Sequence, residues 1–247
     1  MEVIRFENVV KRFGGETVLD GVSFEVRSGE VLAVTGPSGT GKSVALKHIV
    51  GLLSPTSGSV YVGGVEVSAC ASRELERVRS RTGYLFQSAA LMAWLTVAEN
   101  VALPLREKTS LSEEEISRKV DDALAAVELS GAADKYPSEI SGGMQKRAGL
   151  ARAIVRESDI VLYDEPTSGL DPVTSVTINA LIRRLADERG ITSVVVTHDL
   201  AGALKIADRV LLLKNGKVVE CSQPDAFVGS GNRDVREFLA AMKGETI

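Results

Sequence analysis

Residues 36–43 read Gly36-Pro37-Ser38-Gly39-Thr40-Gly41-Lys42-Ser43, the spacing G-x-x-x-x-G-K-S. Glycines at this spacing let a backbone bend with its N–H groups turned inward, and a helix that starts near Lys42 adds the positive end of its dipole. The loop is therefore read as a cradle for a nucleotide's phosphates. Lys42 is expected to reach the β- and γ-phosphates, and the Ser43 hydroxyl is placed to ligand a Mg²⁺ bridging them. Cleaving a γ-phosphoryl group also needs a positioned water and donors around the developing charge. Candidates for these tasks stand at the ends of β-prone runs. Asp164 and Glu165 close the apolar stretch that begins at Asp159, Gln87 lies at the polar end of a short strand expected over Thr82–Ser88, and His198 follows Ser193–Thr197. Asp164 is read as a metal ligand, Glu165 as the group that polarises the attacking water, Gln87 as touching metal and water, and His198 as a donor to the γ-phosphate. Phe13, just before Gly14-Gly15, is a candidate for stacking on an adenine ring, with plain core packing as the alternative.

These residues lie far apart in sequence, so elements must bring them together. Val31–Val34 is a β-rich apolar run and Val44–Val50 is helix-compatible, which gives the cradle the strand–loop–helix frame its motif requires. Residues 2–36 alternate β-prone runs with turn signals and read as an antiparallel layer feeding the cradle strand. Pro55–Gly58 turns the chain into Ser59–Val62, Gly63-Gly64 opens a hairpin, and Arg73–Arg81 reads as a solvated helix. From about 88 to 156 the β signals vanish. Ser112 with Glu115 forms a capping-box pattern ahead of Ile116, Val120, Leu124 and Val127, and another helix is expected from near Met144. Strand, helix and strand then alternate, as in a βαβ unit, and Asn215-Gly216 marks a closing hairpin. In an open α/β sheet the carboxyl ends of parallel strands share one crevice, where Ser43, Gln87, Asp164, Glu165 and His198 are expected to converge.

Composition excludes several classes. The chain has 247 residues, is 44% hydrophobic and 25% charged, and carries a net charge of −4, which argues against a nucleic-acid-binding protein. Cys70 and Cys221 are too few for a disulfide framework and fit a reducing cytoplasm. No stretch approaches 18 uninterrupted apolar residues and the start lacks a leader pattern, so neither export nor a membrane span is expected.

One further segment, Ile140-Ser141-Gly142-Gly143-Met144-Gln145-Lys146-Arg147, is a polar glycine turn opening a helix and thus a second anion site. With it the sequence resembles the ATP-binding subunits of ABC transporters. It matches the Walker A loop at 36–43, the Q-loop at Gln87, the signature turn at 141–145, the Walker B strand at 160–165, the D-loop Ser168-Gly169-Leu170-Asp171 and the switch His198, in the family's order. The signature departs from the commonest L-S-G-G-Q in having Ile140 and Met144. The resemblance implies an α/β fold of P-loop NTPase type: a RecA-like core with an antiparallel β subdomain and a helical subdomain at about 88–156, making up a domain over 1–228. It implies ATP and Mg²⁺ as ligands, and a head-to-tail dimer or paired ATPase subunit. In that dimer Ser141 and Gly143 of one copy complete the ATP site of the other, and Gly142 and Asp171 are counted among the ATP-binding residues. It further implies a separate multi-span permease, with this chain cytoplasmic and peripheral on the cytoplasmic face of the inner or plasma membrane. The blocks around Walker A, the signature and Walker B look most like lipid-trafficking ATPases, with possible substrate-binding and accessory lipid-transport partners. Lipoprotein release, amino-acid or methionine import, and a soluble role in iron–sulfur assembly are the competing readings. Met92 and Trp94, in an apolar stretch after Gln87, suit a groove that receives a partner's helix, burial within the insert being the alternative. Residues 229–247 form a tail in which Val235, Phe238, Leu239 and Met242 recur at helical spacing, so its apolar face must dock either on its own core or on a second copy.

Overall fold

In the computed structural model, residues 2–243 are described. In chain order the strands and helices are β1 (Glu2–Phe13), β2 (Glu16–Arg27), β3 (Val31–Thr35), α1 (Lys42–Ile49), β4 (Ser57–Val62), β5 (Val65–Glu66), α2 (Ser72–Ser80), β6 (Thr82–Leu85), α3 (Val97–Lys108), α4 (Glu113–Ala126), α5 (Gly142–Ile154), β7 (Ile160–Asp164), α6 (Pro172–Arg189), β8 (Thr192–Val196), α7 (Leu200–Ile206), β9 (Arg209–Lys214), β10 (Lys217–Ser222), α8 (Pro224–Val228) and α9 (Arg233–Lys243). Two short 3₁₀ turns, Ser130–Ala132 and Pro137–Glu139, link α4 to α5.

Two sheets divide the chain. One is antiparallel, in the order β2-β1-β4-β5; the other has six strands in the order β10-β9-β3-β8-β7-β6. In the larger sheet β3, β6, β7, β8 and β9 run parallel, and β10 returns antiparallel along β9. All five residues of β3, of β7 and of β8 are buried, which explains why these segments read as continuous apolar runs rather than alternating ones. Side-chain alternation then splits the core. Val161, Tyr163 and Val195 face the helices α3 to α6, while Leu162, Val194, Val196, Leu32 and Val34 face α1 and the antiparallel sheet.

The structure refines three sequence expectations and adds one helix. Strand β6 stops at Leu85, so Gln87 sits in the turn beyond it. Helix α5 begins at Gly142 rather than near Met144, because the Ser141 hydroxyl accepts the Met144 N–H at 3.3 Å and caps it. A helix with no clear periodic signal, α3, is capped by Thr96 and Glu99 and accommodates Pro104. The tail docks on its own core: Val235 is fully buried with Phe227, Val210 and Leu212, and Phe238 and Leu239 pack against the same cluster. Lys214 fastens it by donating to Asp234 at 2.6 Å and Glu237 at 3.4 Å. Residues 244–247 of the tail lie outside the described residues.

Candidate functional site

The loop between β3 and α1 can be built only from glycine at its two ends. Gly36 has φ 147 and a Cβ there would lie 2.0 Å from the Leu213 carbonyl oxygen; Gly41 has φ 95 and a Cβ there would lie 2.7 Å from Leu19 Cδ2. Pro37, Ser38 and Gly39 form the exposed apex, pinned by the Thr40 hydroxyl donating to the Pro37 carbonyl at 2.9 Å. Helix α1 starts at Lys42 with no side-chain cap and no acidic residue in its first turn. Its free N–H groups and dipole end are thus available to an anion. The Lys42 ammonium donates to the carbonyls of Gly36 at 2.9 Å and Pro37 at 2.8 Å, which aims it across the loop. Burial pulls its pKa down, opposed by the charges of Glu165 and Asp164.

Ser43 follows one residue later, and its hydroxyl donates to Asp164 Oδ1 at 2.6 Å. Asp164 is buried at the end of β7, and its other oxygen accepts from the Tyr84 hydroxyl at 3.3 Å. A serine hydroxyl beside a carboxylate is the hard-oxygen pair that suits Mg²⁺. Among the described residues no cluster of three or more His, Cys, Asp or Glu side chains could hold a metal, so an ion here would draw its remaining ligands from phosphates and water. Burial and the Asp164 carboxylate together push the Tyr84 phenol pKa up, keeping it a hydrogen-bond donor.

Glu165 takes a left-handed backbone conformation, φ 51, at the point where the chain leaves β7. Its N–H continues the ladder to the Val196 carbonyl at 2.9 Å. Its carboxylate lies 2.6 Å from His198 Nδ1, which donates to it in the Nδ1-protonated tautomer, and it accepts the His198 main-chain N–H at 3.3 Å. The Glu165 side chain is 14% exposed and that of His198 64%. Gln87 is exposed, and its amide donates to the Ser168 hydroxyl at 3.4 Å, joining the turn after β6 to the turn after β7.

Lys42, Ser43, Asp164, Glu165, Gln87 and His198 therefore surround one crevice at the carboxyl ends of β3, β6, β7 and β8. Three other expected groups stand elsewhere. Phe13 is 44% exposed at the end of β1 with the Lys11 ammonium 4.9 Å over its ring, so it is not a core residue. Ser141, Gly142 and Gly143 neighbour α6 rather than the cradle: a Cβ on Gly142 would meet Leu170 Cδ2 at 3.5 Å and one on Gly143 would meet Thr174 Cγ2 at 2.4 Å. Asp171 caps α6, its carboxylate accepting from the N–H groups of Val173 and Thr174 at 3.0 Å each and from the Thr174 hydroxyl, which holds its pKa below the usual range. Trp94 is 73% exposed and not buried in the insert. Two participants escaped the sequence reading. Tyr84 carried only a strand signal, and Lys146 looked like one more polar residue of the signature turn, yet it is buried and donates to the Gln87 and Glu165 carbonyls.

Residues 19–168 match the sequence family described as ABC transporter. An intermembrane phospholipid transport system ATP-binding protein, MlaF of Haemophilus influenzae, is 40% identical over 99% of this chain and 91% of its own length. The chloroplast protein TRIGALACTOSYLDIACYLGLYCEROL 3 of Arabidopsis thaliana is 42% identical over 96% of this chain and 73% of its own. Among solved structures, a dimeric ATP-binding cassette in a post-hydrolysis state bound to ADP and Pi superposes with a TM-score of 0.81 at 35% identity, covering 90% of this chain and 98% of that one. No described helix is long and apolar enough to cross a membrane.

Proposed function

The chain belongs to the ABC transporter ATP-binding family, and on that footing we propose that it is the ATPase subunit of a lipid-trafficking transporter, working as a head-to-tail pair beneath a separate multi-span permease. It is an ATPase. The observation that carries the catalytic reading is the pairing within one crevice of Ser43 with Asp164 at 2.6 Å and of Glu165 with His198 at 2.6 Å, beside a helix N-terminus left uncapped.

Each residue has a task that its position supports. Lys42 and the first N–H groups of α1 bind the β- and γ-phosphates. Ser43 and Asp164, with Gln87, would hold Mg²⁺, and a bound ion would supply charge neutralisation for the phosphates. Glu165 accepts a proton from the attacking water, and His198 holds that carboxylate in place while its ring remains exposed enough to meet the γ-phosphate. Phe13 is assigned to the adenine, as an exposed aromatic with no packing role. Gly142 and Gly143 lie against Leu170 and Thr174, the residues on either side of the Asp171 turn. Ser141, Gly142, Gly143 and Asp171 are assigned to the ATP held by a second copy, an arrangement in keeping with the dimeric cassette this fold matches.

The lipid assignment rests on the likeness to a phospholipid-transport ATPase across nearly the whole chain. A groove between the helical insert and the core, lined by Tyr84, Phe86, Met92, Leu103 and Pro104, is the proposed seat for a permease segment. Purification from membranes tests the reading: a multi-span protein should co-purify, and the reconstituted pair should show phospholipid-stimulated ATP hydrolysis. Recovery without a membrane partner would favour the soluble alternative, and stimulation by an amino acid or lipoprotein instead would refute the lipid cargo.

A further inference from the structure

Lys146 is a buried lysine, 5% exposed, and among the described residues its ammonium forms no ion pair. It is spent instead on two main-chain carbonyls, that of Glu165 at 3.0 Å and that of Gln87. Burial pulls its pKa down, and the nearby charges of Glu165 and Asp164 oppose that pull. Desolvating an ammonium is costly, so a hydrophobic residue would be the cheaper filler unless those two carbonyls must be held.

The segments it joins are under local constraint. Glu165 is left-handed at φ 51, and so are Ala89 at φ 60 and Ala90 at φ 48, just past Gln87. Such conformations in residues with a Cβ persist only where surrounding contacts determine them. Helix α5 supplies those contacts at successive three-residue steps. Lys146 holds the carbonyls of Gln87 and Glu165. At Gly149 a Cβ would crowd Leu85 Cδ1 at 2.8 Å and Ala89 Cβ at 3.1 Å. Arg152 donates to the carbonyls of Ala89 at 2.6 Å and Ala90 at 2.8 Å. The same helix is capped by Ser141, five residues before Lys146.

We propose that Lys146 is a positioning residue for ATP hydrolysis: from the helix that Ser141 caps, it fixes the backbone of Gln87 and Glu165, so that the signature turn and the proposed general base move as one body. The proposal rests on the assignment of Glu165 as that base. Its consequence is that engagement of the Ser141 turn by a second copy's nucleotide would be felt at Glu165 of the same chain, linking the two ATP sites through one side chain.

The test uses the full chain with its permease and three variants. Lys146→Met keeps the apolar stem and removes both donors. Lys146→Gln supplies an amide with two N–H groups but no charge. Glu165→Gln controls for the base. Lys146→Met should lower kcat by about 10- to 100-fold, the scale of a misplacement near 1 Å, while the KM and Kd for ATP stay within about twofold. Lys146→Gln should regain most of the lost kcat. A Lys146→Met kcat within twofold of the parent, with Glu165→Gln inactive, would overturn the proposal. So would a loss matched by a lower melting temperature and a raised Kd that Lys146→Gln fails to restore. Normal turnover by Glu165→Gln would remove the base assignment and the proposal with it.

Discussion

Replacing Glu165 by glutamine separates the chemical step from everything else the crevice does. The side chain is 14% exposed and accepts from His198 through the ring Nδ1 at 2.6 Å and the main-chain N–H at 3.3 Å. Glutamine is isosteric, and its amide oxygen can keep the main-chain hydrogen bond. What it cannot do is take a proton from water. Loss of a positioned general base costs about 10²- to 10⁴-fold in rate, or about 3–5 kcal/mol of barrier. The cost to folding is far smaller, because the contact that loses its charge is to a histidine whose side chain is 64% exposed, and screened pairs of that kind contribute at most about 1 kcal/mol. Steady-state ATPase activity should therefore fall by at least about a hundredfold, with ATP affinity and melting temperature close to the parent values. The variant should also accumulate as an ATP-bound dimer on sedimentation. Turnover within tenfold of the parent would refute the assignment and place water activation on another group.

Lys42→Ala should abolish high-affinity ATP binding by equilibrium titration, because it removes the side chain that bridges the cradle; nearly unchanged affinity would defeat the phosphate-binding assignment. Ser141→Arg should leave ATP binding by the isolated chain intact and stop turnover, and mixing it with Lys42→Ala should recover activity from the one intact composite site. No recovery would leave the trans arrangement without support. Trp94→Ala should weaken permease-stimulated hydrolysis without lowering the melting temperature, and unchanged stimulation would remove Trp94 from the permease contact. Deleting residues 233–247 exposes the cavity filled by the fully buried Val235, a loss of at least about 1.5 kcal/mol from that side chain alone; an unchanged melting temperature would show that α9 does not hold the core. Sedimentation of that truncation with ATP and Glu165→Gln tests whether the tail also braces a dimer.

The strand–loop–helix frame of the cradle was legible because its residues are contiguous: eight residues carry the turn, the charge and the hydroxyl proposed for the metal, and their flanks declare a strand and a helix. Asp164 and Glu165 were legible for a related reason. A strand buried on both faces is predominantly apolar, so the first carboxylates mark its carboxyl end. The capping box at Ser112 and Glu115 was equally local, and so was the hairpin at Asn215-Gly216. What the tertiary structure decided involves partners that no local rule relates. Tyr84 and Asp164 meet because β6 and β7 are adjacent and parallel, and Lys146 reaches two carbonyls 59 and 19 residues away. The same holds for α3, whose Pro104 weakens any periodic reading but whose Val97, Val101 and Leu105 are buried in the helical core. Gly143 reads as an anion-binding turn, yet the Thr174 methyl on α6 also forbids it a side chain. The tail's amphipathic pattern called for a partner surface without naming one, and only the folded chain brings Phe227, Val210 and Leu212 to meet it. Hydrophobic burial is non-directional: a sequence pattern specifies that a face must be covered, whereas the covering residue is selected by the closure of the whole chain around its two sheets.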